Sequence, residues 1–231
     1  MGRQMPLDLG HRPALGREDF LVAPSNREAV AFLDLWPEWP ARALVLHGPE
    51  ACGKTHLAQV WRARSGAMEI SRDDLSSDAP SPLGGARHVV VESAGAGINE
   101  RGLLHLYNYA TGEGGTLLLT AETPPRGWEV SLPDLRSRLL ALPAVAVGAP
   151  DEALIEAVMV KQFADRQVRV APDVVAFLVP RLERSLATVR TVVAALDAAA
   201  LAERRAITIP LAKHVLHRLG IREFGPALPK A

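Results

Sequence analysis

The sequence predicts an α/β fold, in which a parallel β-sheet carries helices on both faces and is followed by a small all-α domain. Over residues 25–148, short apolar runs alternate with segments of helical spacing, which is typical of a covered parallel sheet. After Gly148-Ala149-Pro150 almost every segment has helical spacing. We therefore expect four parts: a leader over 1–24, an α/β domain over 25–148, a helical domain over 149–220 and a tail over 221–231.

Local patterns predict each element of the α/β domain. Ser25-Asn26-Arg27-Glu28 has the pattern of a capping box, and the apolar residues after it are spaced as in a helix. Short runs that are apolar throughout predict strands buried on both faces. These strands are expected at 43–47, 67–70, 88–92, 115–120 and 144–147. Helices are expected at 54–64, 100–111 and 133–140.

The helical domain is predicted to contain four helices, at 151–166, 172–182, 185–204 and 210–219. Pro172 and Pro210 stand near helix starts, where a missing backbone N–H leaves no hydrogen bond unmade. Pro180 lies inside the second helix and is expected to end or kink it.

The chain has no formal net charge, so it is neither strongly basic nor strongly acidic. Twenty-six Lys and Arg residues balance 26 Asp and Glu residues, so we expect neither direct sequence-specific DNA binding nor attraction to a membrane. A single cysteine, Cys52, excludes an intramolecular disulfide. The start of the chain has no apolar leader, and no run approaches the ~20 apolar residues of a membrane helix. We therefore expect a cytoplasmic protein.

One motif predicts nucleotide binding. A predicted strand is followed by a complete G-x-x-x-x-G-K-[ST] pattern, formed by Gly48-Pro49-Glu50-Ala51-Cys52-Gly53-Lys54-Thr55, which opens a predicted helix. Glycines let such a loop wrap a phosphate with backbone N–H groups, and the helix N-terminus adds positive potential. We expect the loop and His56 to bind ADP or ATP, with Lys54 at the β/γ oxygens and Thr55 on Mg²⁺.

A second acidic position follows the strand that contains Val89-Val90-Val91. Glu92 stands where P-loop ATPases place a carboxylate that supports Mg²⁺, although a strand-end carboxylate without a metal role is the alternative. Ser93 stands where a second acid would polarise the attacking water. Serine does not act as a general base near neutral pH, and such assistance is worth roughly 10²–10⁴-fold in rate. The site is therefore predicted to hold a nucleotide and to hydrolyse it slowly.

Four blocks in order, GKTHLA, LLHLYNYA, LLLTAETPP and LPDLRSRL, resemble the AAA+ ATPases. Within them, the chain is similar from about Phe20 to Leu219 to the family of the bacterial replication initiator DnaA and its short regulatory inactivators. The resemblance implies that Thr120 is the sensor 1 residue and that Arg138 is an arginine finger. A salt bridge between Arg138 and Asp134, one helical turn earlier, is the alternative.

The chain departs from the family at two places. The sensor 2 arginine of the third lid helix falls at Ala187, and Arg184 and Arg190 lie one turn to either side as possible substitutes or as solvated surface residues. The initiator itself has a C-terminal helix-turn-helix domain, whereas this sequence stops at Ala231. The first departure, together with Ser93, weakens the case for intrinsic ATPase activity. The second favours a regulator over the initiator.

The leader contains Gln4-Met5-Pro6-Leu7-Asp8-Leu9, which resembles the short motif that binds the sliding clamp of the replicative polymerase. In an extended chain Met5, Leu7 and Leu9 point the same way, as in a peptide that fills an apolar groove. The alternative is that they pack on the protein's own surface.

These features together predict a regulator of chromosome replication initiation. It would bind the clamp through residues 4–9, hold ADP or ATP with Mg²⁺, and present Arg138 to ATP on a DnaA-type initiator, whose hydrolysis it would stimulate. An autonomous ATPase such as a helicase loader is the alternative, and a small-molecule kinase is disfavoured because LPDLRSRL has no role there. Formation of a homo-oligomer is left open.

Overall fold

The computed structural model describes residues 21–75, 85–112 and 114–221. The first part of the chain alternates helices with strands: α1 (Arg27–Asp34), β1 (Ala43–His47), α2 (Lys54–Ser65), β2 (Met68–Ile70), β3 (His88–Val91), α3 (Glu100–Gly112), β4 (Thr116–Ala121), α4 (Pro133–Ala141) and β5 (Ala144–Ala146). Four helices follow: α5 (Glu152–Asp165), α6 (Pro172–Leu178), α7 (Leu186–Glu203) and α8 (Ile209–Arg218).

The described strands form one parallel sheet in the order β2-β3-β4-β1-β5. Every residue of β4 is buried, and successive side chains of the central strands enter opposite layers. Val45 packs with α3 and α4, for example, whereas Leu44 and Leu46 pack with α1 and α2. The predicted α/β fold is confirmed, because only a sheet covered on both faces buries a continuous apolar strand.

The four C-terminal helices enclose a separate apolar core. It includes Met159, Phe163, Leu178 and Leu196, all at most 1% exposed. Pro180 ends α6 as expected, because the chain continues as a 3₁₀ turn over Val179–Arg181. We call this helical unit the lid domain; the domain boundaries drawn from the sequence stay a prediction.

The start of α1 differs from the sequence prediction. Asn26, not Ser25, occupies the N-cap position, and the hydroxyl of Ser25 is buried without a hydrogen-bond partner among the described residues. The Asn26 amide is used elsewhere, since its Oδ1 accepts from the N–H of Ala23 at 2.8 Å and its Nδ2 donates to the carbonyl of Leu21 at 3.0 Å. The capping-box prediction is wrong because Asn26 ties down the segment that precedes the helix.

Within the described ranges, no helix is both long and apolar enough to span a membrane.

Candidate nucleotide-binding site

The carboxyl ends of three neighbouring strands form the candidate site. The P-loop follows β1, Thr120 lies near the end of β4, and Glu92 follows β3. Because β4 lies between β1 and β3 in a parallel sheet, the three ends meet at one edge, where ligands of open α/β sheets bind. The sheet thus brings together residues that are up to 72 positions apart in the sequence.

Both glycines of the P-loop are required by its geometry. A Cβ on Gly48 would lie 2.0 Å from the carbonyl oxygen of Val147, which follows β5. Gly53 has φ +112°, and a Cβ there would lie 3.2 Å from a methyl group of Leu186. The loop is therefore enclosed by β5 on one side and by the lid domain on the other, and a larger residue at either glycine would displace it.

Lys54 is the first residue of α2 and folds back over the loop. Its Nζ donates to the carbonyls of Gly48 at 2.8 Å and Pro49 at 2.7 Å, and it lies 3.8 Å from Sγ of Cys52. The ammonium is therefore fixed in the concave part of the loop, as expected for a phosphate contact. Glu50 is exposed at the tip of the loop, and His56 lies half-buried in the first turn of α2.

Thr55 and Glu92 are hydrogen-bonded to each other, and their role as magnesium ligands stays a prediction. The Thr55 hydroxyl donates to Oε2 of Glu92 at 2.5 Å, and Oε1 of Glu92 is buried without a partner among the described residues. A hydroxyl beside an unsatisfied carboxylate oxygen fits a hard cation such as Mg²⁺. Within the described residues no group of three or more His, Cys, Asp or Glu side chains could hold a metal. Bound Mg²⁺ would therefore also need phosphate oxygens and water.

The backbone N–H groups of the turn after β3 donate hydrogen bonds to Thr120. Ser93 has φ +57°, and its N–H donates to Oγ1 of Thr120 at 3.1 Å, while the N–H of Ala94 donates to the Thr120 carbonyl at 2.7 Å. Thr120 is only 2% exposed. Its hydroxyl thus positions Ser93, and its contact with nucleotide stays a prediction.

The lid domain touches the P-loop through the start of α7. The N–H of Leu186 donates to the carbonyl of Ala51 at 3.2 Å. Ala187 is exposed, so the position of the expected sensor 2 arginine carries only a methyl group. Arg184 forms an exposed ion pair with Glu152 at 3.2 Å, and Arg190 is exposed on α7. The contact of the lid domain with the loop is therefore made by backbone and by Leu186.

Arg138 lies in the last turn of α4, away from the P-loop in sequence. Its Nε donates to Asp134 at 2.9 Å, and its Cζ lies 5.5 Å from the centroid of the Tyr107 ring. The hydrogen bond to Asp134 raises the pKa of Arg138 above its usual value. Neither terminal nitrogen forms a hydrogen bond within the part of the chain that the structure describes. The side chain is thus anchored at Nε and remains partly exposed.

Three residues at this edge of the sheet were not predicted from the sequence to lie near the site. His47 ends β1 directly before the P-loop, and burial, together with the positive charges of Arg126 and Lys54, lowers its pKa. Arg72 donates to the carbonyls of Ser93 at 3.0 Å and Ala96 at 2.9 Å, and so holds the turn after β3. Their positions in the sequence could have indicated a place near the site, because each residue lies at or shortly after the carboxyl end of a predicted strand.

The predicted clamp-binding residues Gln4, Met5, Pro6, Leu7, Asp8 and Leu9 lie outside the described residues.

Part of the chain, and its fold, are similar to known proteins. Residues 151–216 match the family model described as the Hda lid domain. The fold is similar to that of domain III from the Thermotoga maritima replication initiation protein DnaA, with a TM-score of 0.76 and 17% identity over 90% of this chain and 97% of that chain.

Two other solved structures have the same fold at lower similarity. AMPPCP-bound DnaA from Aquifex aeolicus is 14% identical, covering 80% of this chain and 65% of that one, with a TM-score of 0.64. The K64R mutant of Thermotoga maritima RuvB is 12% identical, covering 88% and 71%, with a TM-score of 0.70. Residues 151–216 are thus similar to the Hda lid domain, and the chain shares the fold of DnaA domain III.

Proposed function

We propose that this protein is a nucleotide-binding regulator of chromosome replication initiation that stimulates hydrolysis of ATP bound to a DnaA-type initiator. The observation that carries the proposal is the match of residues 151–216 to the Hda lid domain, on a chain that shares the fold of DnaA domain III. The same fold occurs in RuvB, so the fold alone would not select this function.

The first step of the proposal is binding of ADP or ATP with Mg²⁺. Gly48 and Gly53 allow the backbone N–H groups to surround a phosphate, and Lys54 supplies a positive charge. Thr55 and the unpaired oxygen of Glu92 would hold Mg²⁺, which neutralises phosphate charge when bound. AMPPCP, an ATP analogue, is bound by the DnaA of Aquifex aeolicus, and this supports an adenine nucleotide here.

The second step is that the bound nucleotide is hydrolysed slowly. Ser93 offers a hydroxyl where a general base would be needed, and its N–H is engaged by Thr120. Ala187 carries no charge, and Arg184, which precedes α7, is paired with Glu152. Groups that hold phosphate are therefore present, whereas groups that activate water in this chain's own site are missing.

The third step is that Arg138 acts on the nucleotide of the partner. A guanidinium stays charged near neutral pH and can donate two parallel hydrogen bonds to phosphoryl oxygens. With Nε held by Asp134, the two terminal nitrogens can approach a partner with little loss of side-chain freedom. The Asp134 ion pair, weighed above as the alternative role of Arg138, would then orient the finger.

Residues 4–9 would attach the protein to the sliding clamp, because an extended motif with Met5, Leu7 and Leu9 on one side suits an apolar groove. Attachment would raise the local concentration of Arg138 near the initiator without any new contact.

The deciding experiment measures ATP hydrolysis by DnaA with and without this protein, in the presence of clamp loaded on DNA. We expect a large increase that requires both proteins and the clamp. No increase would reject the proposal. Robust ATP turnover by this protein alone would instead favour the autonomous ATPase.

A further inference from the structure

The end of the lid domain has a segregated charge that the neutral total conceals. Residues 204–221 contain four Arg or Lys residues and two His residues, but no Asp or Glu. Within α8, Lys213, His214, His217 and Arg218 are exposed. Their spacing of i, i+1, i+4 and i+5 puts them on one face of the helix.

This face continues onto α6 through one aromatic ring. The guanidinium of Arg181 lies 4.0 Å from the centroid of Phe177, and Nζ of Lys213 lies 5.8 Å from the same centroid. Arg181 donates to the carbonyl of Phe177 at 2.8 Å, and its Nε is buried without a partner in the described part of the chain. Two cations thus lie near one half-buried ring, each within cation–π distance of it.

The cations of this face are not neutralised. Neither Lys213 nor Arg218 forms a salt bridge with any residue of 21–75, 85–112 or 114–221, and Asp173, one turn before Phe177, is an exposed acid on α6. We define the basic face as Phe177, Arg181, Lys213, His214, His217 and Arg218. Like charges brought together without counter-charges repel one another, and a bound polyanion would relieve this repulsion.

We propose that the basic face binds the phosphate backbone of duplex DNA without reading its sequence. A lipid surface fits less well, because an amphipathic helix that binds membranes must offer apolar side chains to the bilayer. The apolar side of α8, formed by Leu211, Ala212, Val215 and Leu216, is at most 2% exposed and lies in the core of the lid domain. The exposed side of α8 therefore offers positive charge, which suits phosphates.

Such a contact is weak by itself. Sequence-independent DNA binding has dissociation constants of roughly 10⁻⁴–10⁻⁶ M and weakens steeply with salt. If the proposed attachment to a DNA-loaded clamp is correct, the DNA beside the clamp is present at high effective concentration, and a weak contact suffices to orient the protein. Orientation beside the clamp rests on the proposed function, whereas binding of DNA by the basic face does not.

The test uses the full chain and a short fluorescently labelled DNA duplex, with anisotropy measured at several ionic strengths. The test variant is Lys213→Glu with Arg218→Glu. We expect affinity at low salt to fall at least about tenfold and the slope of log affinity against log salt to decrease by about two, one for each lost phosphate contact. The matched control, Arg27→Glu with Arg101→Glu, makes the same charge change at exposed sites on α1 and α3 and should lower affinity less than about threefold, because distant charges are screened.

Thermal denaturation and nucleotide affinity check that the variants fold, and Lys213→Gln with Arg218→Gln replaces the charge reversal if that variant unfolds. The proposal is overturned if the parent protein does not bind DNA at low salt, or if test and control variants weaken binding equally. It is also overturned if DNA binding is unchanged in the test variant while binding to phosphatidylserine vesicles is lost, since the face would then serve a lipid surface.

Discussion

The two sides of the candidate nucleotide site differ in their residues for binding phosphate and for hydrolysing it. On the side formed by β1 and α2, hydrogen bonds orient Lys54 and Thr55 of the predicted P-loop. The opposite side, formed by the turn after β3 and the start of α7, has Ser93 and Ala187 where hydrolysing relatives are expected to place an acid and an arginine. The difference teaches that holding a phosphate and breaking it depend on separate residues, so one can be kept while the other is reduced.

The largest predicted effect is on ATP hydrolysis by the partner, and it leaves nucleotide binding by this chain unchanged. Arg138→Ala should reduce stimulation of DnaA ATP hydrolysis by roughly 10³–10⁵-fold, the range measured for fingers supplied in trans to GTPases. Nucleotide binding by this chain should not change. Arg138→Lys should recover little, because an ammonium lacks the planar pair of donors.

The matched control is Arg136→Ala, an exposed arginine on the same helix, which should stimulate like the parent. Asp134→Asn should lower stimulation partially and leave the melting temperature near the parental value, since the pair is exposed. A folded, clamp-bound Arg138→Ala protein with parental stimulation would show that the Asp134 contact is the whole role of Arg138.

The next prediction tests the complete side of the site. Lys54→Ala should weaken ADP and ATP binding by about 100-fold or more, because it removes a charged donor aimed into the loop. Titration calorimetry measures the affinity, with Arg62→Ala on the same helix as a control that should bind like the parent. Equal affinities for Lys54→Ala and the parent would mean that nucleotide binds elsewhere.

The third prediction concerns the leader. Removing residues 1–10, or replacing Gln4, Leu7 and Leu9 by Ala, should abolish binding to immobilised clamp while nucleotide affinity stays unchanged. Retained clamp binding by the truncated protein would refute the proposed attachment. The control is the same truncated protein in the calorimetric assay, which should show an intact P-loop.

A smaller effect is expected on ATP hydrolysis by this protein itself, which concerns the side of the site that contains Ser93 and Ala187. The purified protein should hydrolyse ATP barely above background, and Ser93→Asp should raise this rate by less than the roughly 10²–10⁴-fold that a general base can supply, because Ala187 still lacks a guanidinium. Aspartate tolerates the left-handed backbone of Ser93 better than most residues. High turnover by the parent would contradict the comparison between the two sides.

The smallest effect is on stability against pH. Burial lowers the pKa of His47 and, at the amino end of β3, that of His88. The unfolded chain therefore binds more protons than the folded one just below pH ~6.5, and the free energy of unfolding should fall as the pH drops through that range. Urea midpoints at neutral and mildly acidic pH should differ less in His47→Gln with His88→Gln than in the parent. An unchanged difference would show that other groups dominate.

Local sequence patterns predicted the sheet well and the site contacts less well. The strands were recognisable because their centres, such as 89–91 and 117–119, are apolar on both faces. The P-loop was recognisable because its spacing is fixed by phosphate chemistry. The cap at Ser25 was wrong because the amide of Asn26 bonds to residues before the helix.

Contacts between segments that are distant in sequence could not be predicted, because no local sequence pattern indicates them. Arg72 reaches the turn after β3 across 21 residues, and Arg126 affects His47 through the pairing of β1 with β4. The basic face of the lid domain was hidden for a related reason, since a neutral total charge does not report how charges are distributed over a surface.

The position of Cys52 makes the P-loop measurable by chemistry. Cys52 is the only cysteine of the chain, it is 4% exposed, and its sulfur lies in the loop next to Lys54. A thiol reagent can therefore react only when the loop opens, and the labelling rate reports the frequency of that local opening. Bound nucleotide should slow the reaction in proportion to its stabilisation of the closed loop. The labelling kinetics of this single thiol would thus follow occupancy of the site with an unlabelled nucleotide.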